Sequence, residues 1–284
     1  MKAISIPSLL GRIGKRQRFI LSTALATICF ISASFNSFSH IPFVLPILMV
    51  LLYGLIWIAI LEGIHRLEWF LLFIVPLYFT VSLFLFYYFL PQRWLTRLPL
   101  ALIYSVSFYA LLLCQNIFNV GVEKSLQLFR AAFAVNYLYV TITLFLITSS
   151  ILSFGLPFYA NGVLLFLCTF PLALQFLWSV NPEEQLEKQL IYMACGIAIL
   201  VGEVGWFLSF IPVNSSIIAL VATGVFYSVS GLSQAYLLDR LFSAKDEGIC
   251  LCAHLCTSLV PTLYQVVGIC VTFSDVQESM LSYY

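Results

Sequence analysis

The sequence predicts an all-α bundle of eight transmembrane helices, and three observations support this fold class. Hydrophobic residues make up 62% of the 284 residues and charged residues only 9%, against about 25% charged residues in soluble domains. The apolar residues form long runs without a charge, and the basic residues flank alternate ends of these runs. We therefore expect the lipid bilayer to surround most of the chain. The net charge of +1 gives no reason to expect a nucleic-acid partner.

Charge-free runs give the number of spans, because an ionised side chain is costly in hydrocarbon and a helix needs about 20 residues to cross it. Three long runs each hold two spans and two shorter runs hold one each: 19–61 broken at 36–42, 69–92, 98–122, 131–182 broken at 153–157, and 189–238 broken at 211–215. The last run contains a single charged residue, Glu203. Backbone groups in lipid must be satisfied internally, and no alternating barrel pattern is present, so the spans are predicted to be helices.

The distribution of basic residues predicts the orientation. With a cytosolic N-terminus and eight crossings, two basic residues face outward, Arg93 and Arg97, and the other eleven of the 13 face the cytosol. We therefore predict a multi-pass protein of the bacterial inner (cytoplasmic) membrane. Residues 1–18 form a basic cytosolic leader, residues 19–242 the bundle, and residues 243–284 an atypical tail. Reading the first apolar run as a cleaved signal peptide is the less favoured alternative.

Two predicted spans carry polar residues at heptad spacing, which keeps such residues on one helix face. The fifth span has Asn136, Thr143 and Ser150, and the sixth has Asn161, Cys168 and Gln175. Polar side chains in lipid tend to face other helices and to form hydrogen bonds with them. The spacing indicates the bundle-facing sides of both spans, with helix packing favoured over a path for a solute.

Glu203 is the one acidic residue well inside a predicted span, and intramembrane acids are usually functional. Ala194, Ala198 and Gly202 form a ridge of small residues beside it, which favours close helix approach. Our hypothesis is that Glu203 meets a polar stripe on the eighth span, where it either holds the two helices together or relays a proton. The stripe consists of Ser216, Thr223, Tyr227, Ser230 and Gln234.

Between the fourth and fifth spans lies the most distinctive polar interruption of the sequence. Asn119 can cap a helix that follows the cytosolic headgroups and runs on into the fifth span. Charged and polar residues on one face of that helix can hold it at the interface: Glu123, Lys124, Gln127 and Arg130. We interpret the segment as an interfacial elbow, with a cytosolic recognition surface or gate as the alternative.

The tail carries a cluster of metal-ligating residue types, namely Cys250, Cys252, His254 and Cys256. Three thiolates and an imidazole can bind zinc, but this spacing is not that of the usual zinc motifs. The surrounding segment is also apolar enough for a marginal ninth span, and a poorly ordered tail is the other alternative. We predict no metal site here, and the chain contains no nucleotide, haem or dinucleotide motif that would indicate a cofactor.

Several short motifs carry a resemblance to a known group of proteins. They include Gln115–Val120, Gln127–Ala132, Gly202–Trp206 and Gly231–Tyr236. With these motifs the chain resembles uncharacterised multi-pass membrane proteins of candidate-phylum bacteria, over roughly residues 15 to 242. That family has no assigned activity, so the resemblance implies a membrane bundle and no function. The chain departs from the family pattern after Phe242, which suggests a change of reading frame there.

The sequence favours a non-enzymatic membrane protein, either a transporter-like bundle or a module that binds other membrane proteins. The alternative is an enzyme acting on lipid at the cytosolic face, using Glu62, His65 or Glu123. The two non-enzymatic readings differ in one structural expectation. A transporter should have a polar cavity reaching Glu203, whereas an interaction module needs none.

Overall fold

The computed structural model describes eight helices and no strands in the residues that it covers: 14–36, 40–60, 69–90, 94–120, 126–180, 182, 187–211 and 213–238. The helices are α1 Lys15–Ser34, α2 Ile41–Ile60, α3 Trp69–Tyr87, α4 Trp94–Val120, α5 Leu126–Ser153, α6 Phe158–Trp178, α7 Lys188–Leu208 and α8 Ser215–Leu237. All eight are long and apolar enough to cross a membrane. The predicted fold class is confirmed, and the eight predicted spans correspond to these eight helices. The predicted tail, including its Cys/His cluster, lies outside the described residues.

The chain divides into two compact units, residues 1–234 and 235–284. Of the second unit, the structure describes residues 235–238, which contain the last turn of α8. The first unit contains α1 to α7 and most of α8. All contacts described below lie within this first unit.

Successive helices run in opposite directions, and aromatic and polar contacts identify which helix ends meet. At one end, the Tyr88 hydroxyl after α3 donates to the carbonyl of Asn36 after α1, at 3.2 Å. At the opposite end, the ring of Phe118 near the end of α4 packs on Phe129 near the start of α5, at 5.6 Å. We call the two ends the Arg97 end and the Asn136 end, after the polar residue described at each below.

Helix α3 lies at the centre of this unit. It packs against α1, α2, α4, α5 and α6, and 67% of its span is buried, the largest share among the eight helices. Beside it the ring of Tyr104 in α4 is stacked on Phe30 of α1 at 4.4 Å and on Phe79 of α3 at 6.3 Å. The Tyr104 hydroxyl shares a 3.1 Å hydrogen bond with Thr80 Oγ1. A fully buried tyrosine thus joins three helices and keeps its one polar group satisfied.

The breaks between helices follow local chemistry. Gly155 has φ +65° two residues beyond the end of α5, in the left-handed region where glycine is the favoured residue. Pro157 then occupies the N-cap of α6 with φ −60° and ψ 147°. The glycine ends one helix and the proline precedes the next, which accounts for the predicted break at 153–157.

Helices α6 and α7 form the closest pair in the unit, because glycines lie where the two backbones meet. A Cβ added to Gly202 of α7 would stand 3.0 Å from the carbonyl oxygen of Gly162 in α6. A Cβ added to Gly162 would stand 3.0 Å from Trp206 Cβ, and one added to Gly205 would overlap Leu165. No hydrophobic driving force acts between helices in lipid, so their association depends on van der Waals packing. Small residues allow the close approach that this packing requires.

We predict that Gly202→Ala destabilises the protein, whereas Gly196→Ala on the same helix does not. The new methyl at 202 meets a backbone oxygen that cannot rotate away, and overpacking of this kind costs about 1–3 kcal/mol. A Cβ at Gly196 has no atom within 4 Å, and alanine is the better helix former. Thermal denaturation of the two variants in detergent tests this, and equal melting temperatures would contradict the packing described for Gly202.

Candidate functional site: a buried amide cluster

A cluster of four polar side chains joins α4, α5 and α6 near the Asn136 end. We call it the amide cluster, and it consists of Gln115, Asn136, Gln175 and Ser179. Gln115 Nε2 donates to Asn136 Oδ1 at 3.1 Å. Asn136 Nδ2 donates to Gln175 Oε1 at 3.3 Å and to Ser179 Oγ at 3.4 Å. All four side chains are 0% exposed, so the cluster is an internal polar site in an apolar bundle.

Asn136 is the hub of the cluster because its amide uses both its oxygen and its nitrogen on other helices. The two glutamines are each bound on one side only. Gln115 Oε1 and Gln175 Nε2 are buried and have no hydrogen-bond partner among the described residues. The cluster therefore contains one acceptor atom and one donor atom that bind no other described residue.

The helix ends place the amide cluster within reach of the bundle surface. Gln175 lies three residues, less than one helical turn, before the end of α6. Gln115 lies five residues before the end of α4. Helices α4 and α5 have 27 and 28 residues, more than the number that the hydrocarbon core of a bilayer accommodates in an untilted helix. The cluster thus occupies the part of the bundle near one membrane interface.

A tyrosine pair links α5 to α8 on another face of α5. The rings of Tyr137 and Tyr227 are stacked, with centroids 4.8 Å apart and an interplanar angle of 6°. The Tyr137 hydroxyl lies 2.6 Å from the carbonyl of Tyr227, to which it donates, and 3.2 Å from Ser230 Oγ. Two members of the predicted α8 stripe therefore contact α5. Of the other three, Thr223 is buried and donates to the carbonyl of Ala219 in its own helix, Gln234 is half-buried and Ser216 is exposed.

Asn161 lies at the opposite end of the bundle from the amide cluster. Its Nδ2 donates to the carbonyl of Leu156 at 3.3 Å and to Ser209 Oγ of the α7 C-cap at 3.2 Å. The Ser209 hydroxyl in turn donates to the carbonyl of Gly205. The two amides of the predicted α6 stripe, Asn161 and Gln175, thus both face other helices, but at opposite ends and in separate networks.

Glu203 faces outward and does not join the predicted stripe of α8. Its side chain is exposed and makes no hydrogen bond or ion pair with the described residues. The small face of α7, which includes Ala194, Ala198 and Gly202, is buried against α6. One residue further along a helix turns the side chain by about 100°, so close packing of Gly202 points Glu203 away from α6. Among the described helices, α7 packs closely on α6 and not on α8.

At the Arg97 end a guanidinium sits among aromatic rings. The Arg97 carbon Cζ lies 4.5 Å from the ring centroid of Phe35, 5.7 Å from that of Trp94 and 6.0 Å from that of Tyr87. Arg97 Nε also donates to the Tyr87 hydroxyl at 2.6 Å. In the adjacent turn, burial and the neighbouring Tyr87 raise the pKa of Tyr88, while Arg97 lowers it. Arg97 therefore holds the adjacent ends of α1, α3 and α4 together through cation–π contacts and one hydrogen bond.

The predicted elbow is described in part. Asn119 lies inside α4, which continues to Val120, and so it does not cap the following helix. Residues 115–120 contain no glycine or proline, and this explains why the helix runs on past Asn119. Glu123 and Lys124 lie outside the described residues. Gln127 and Arg130 are exposed in the first turns of α5.

The residues of two other predicted sites lie outside the described part of the chain. Glu62 and His65 of the lipid-enzyme alternative lie outside the described residues, as do the four Cys and His residues of the tail. Among the residues described, no group of three or more His, Cys, Asp or Glu side chains could hold a metal ion.

Sequence reasoning missed two members of the amide cluster as site residues, Gln115 and Ser179. Neither belongs to a heptad series, so periodicity gave no signal. A usable signal was present for Gln115, since it is an uncharged amide inside an apolar span and such a group needs a partner on another helix. Ser179 could not be found in this way because it follows the last residue of α6.

Comparison of the chain with protein-family models, with characterised proteins and with solved structures finds no match. The resemblance to candidate-phylum membrane proteins stays a prediction from the sequence motifs.

We predict that Asn136→Leu lowers stability more than Thr143→Val, two turns along the same helix. Removal of the Asn136 amide leaves Gln115 Nε2 and Gln175 Oε1 buried without their partner, at about 1–3 kcal/mol for each unsatisfied group. Thr143, equally buried, donates only to the carbonyl of Tyr139 in its own helix. Unfolding of both variants in detergent, followed by helical circular dichroism, measures the difference. A loss no greater for Asn136→Leu would show that the cluster contributes nothing to helix association.

Proposed function

We propose that this integral membrane protein is non-enzymatic and binds another membrane protein through the face of α7 that carries Glu203. The observation that carries the proposal is the exposed carboxyl of Glu203 inside a membrane-spanning helix. It lies five residues, between one and two helical turns, before the end of α7. The exposed neighbours on this helix are large and apolar, namely Ile199, Trp206 and Phe207.

An acidic side chain facing hydrocarbon is costly, and such residues usually pair with another group. Glu203 makes no hydrogen bond or ion pair with the described part of this chain, so we expect its partner to come from another molecule. A basic or hydrogen-bond-donating side chain at the same depth would remove the cost and fix the position of the partner along α7. The apolar neighbours would supply the surrounding packing.

The charge of Glu203 favours a partner of different sequence over a second copy. In a two-fold symmetric dimer built on this face, the same patch meets itself, and the two Glu203 carboxyls would face each other. Like charges brought together in a low dielectric repel strongly. A partner with a Lys, an Arg or a donor amide avoids this repulsion.

Of the other functional readings, the transporter reading has less support. It required a polar cavity reaching Glu203, but Glu203 faces outward and the buried amides lie elsewhere. The lipid-enzyme alternative depends on residues outside the described ranges and stays a prediction.

The partner proposal is tested with a photo-crosslinking amino acid at Ile199, incorporated in membranes of the native host. We expect a discrete adduct with one membrane protein, reduced about tenfold by Glu203→Leu, which corresponds to about 1.4 kcal/mol. Glu187→Leu is the matched control, since Glu187 is an exposed acid at the other end of the same helix. Mass spectrometry of the adduct should place the crosslink beside a basic or amide side chain of the partner.

Three results would contradict the proposal: adducts with lipid alone, an adduct with a second copy of this chain, or an adduct that Glu203→Leu leaves unchanged. Gel filtration in detergent shows whether Glu203→Leu is folded, so that a lost adduct is not mistaken for misfolding. The crosslinker at Leu102, which is 68% exposed on α4, reports the adducts that any lipid-facing position gives.

We further propose an inner-membrane location with a cytosolic N-terminus, supported by the asymmetric distribution of basic residues. Asn36 and Glu187 are exposed at opposite ends of the bundle. In a background without the native cysteines, a membrane-impermeant maleimide added to spheroplasts should label Asn36→Cys and spare Glu187→Cys until the membrane is opened. The reverse labelling order would overturn the proposed orientation.

A further inference from the structure

We propose that the amide cluster holds bound water, which donates a hydrogen bond to Gln115 Oε1 and accepts one from Gln175 Nε2. This inference is independent of the proposed partner of Glu203. It follows from counting donors and acceptors in a site whose four side chains are all 0% exposed.

The count leaves two specific atoms open. A primary amide offers two N–H donors and one oxygen acceptor. Asn136 uses its oxygen on Gln115 and its nitrogen on Gln175 and Ser179, and the Ser179 hydroxyl donates to the carbonyl of Phe176 at 2.7 Å. The two cluster atoms without any hydrogen-bond partner among the described residues are the oxygen of Gln115 and the nitrogen of Gln175.

The energetic cost of leaving these atoms open favours an occupant. A buried donor or acceptor without a partner costs more free energy than a typical hydrogen bond contributes to stability. Folded proteins commonly place water at such points, where it makes about three hydrogen bonds to otherwise unsatisfied groups. A molecule that both donates and accepts fits the open acceptor and the open donor.

The chemistry of the cluster selects a neutral occupant. All four side chains are uncharged, and neutral amides do not repay the cost of moving an ion out of water. The position of the cluster also provides a source of water. Gln175 lies within one turn of the end of α6, so water at the membrane interface has only a short distance to travel.

X-ray radiolytic footprinting with mass spectrometry tests the proposal, because radicals generated from bound water oxidise the side chains beside it even when these are buried. The reporters are Phe118, one turn beyond Gln115, and Phe176, next to Gln175, which are 2% and 0% exposed. The control is Phe84 in α3, which is also 0% exposed and lies near the Arg97 end. We expect oxidation of the reporters and none of the control.

A variant with an apolar cluster supplies the second arm: Gln115→Leu, Asn136→Leu and Gln175→Leu together. Removal of all three amides leaves no open polar atom on them, and replacement of every partner at once costs far less than removal of one. We expect loss of the reporter oxidation to the level of Phe84. Thr143→Val, which leaves the amides intact, should keep it.

Two outcomes would overturn the proposal. The first is reporter oxidation in the unmodified protein no higher than that of Phe84, a result that decides the question even if the triple variant fails to fold. The second is unchanged oxidation in a folded triple variant, which would mean that water reaches Phe118 and Phe176 without the amides. Circular dichroism and gel filtration establish whether the triple variant is folded.

Discussion

The structure depends on the need to satisfy polar groups inside a bundle that lipid surrounds. Many short hydroxyl side chains of this chain meet this need within one helix, by donating to the carbonyl one turn earlier, as Thr23, Thr80 and Ser150 do. An amide has a donor and an acceptor on a longer side chain and is not satisfied in this way. The amides of Asn136 and Asn161 therefore reach to other helices, and these long-range bonds define how the helices face one another.

This requirement explains how much of the fold could be predicted from the sequence. Span number and helix breaks depend on local composition, so charge-free runs and the Gly155 and Pro157 signals were sufficient. The heptad series also identified Asn136 and Gln175 as facing the bundle. Periodicity indicates a face of one helix but not the helix that this face meets. The joining of Gln175 to Asn136, and of Asn161 to Ser209, depended on tertiary packing.

The direction of Glu203 illustrates the same limit. The sequence correctly marked a ridge of small residues on α7, but this ridge can pack on any neighbour. In the structure it packs on α6, where Gly162 lies opposite Gly202, and the adjacent carboxyl is turned outward. The choice of α6 as the neighbour of this ridge thus places Glu203 on the outside of the bundle, where the sequence predicted an internal position. The capping role expected of Asn119 differs for a local reason, since α4 continues through Asn119 to Val120.

The glycine contact between α6 and α7 also has a consequence for biogenesis. The two helices are consecutive, so their contact closes a short loop and needs no element made earlier in the chain. The pair can associate as soon as α7 has entered the bilayer, in keeping with helices that insert first and pack afterwards. The contact of α3 with α5, in contrast, must wait for the intervening α4. The order of translation therefore allows α6 and α7 to form a hairpin first. This hairpin can then pack against the earlier helices as a preformed unit.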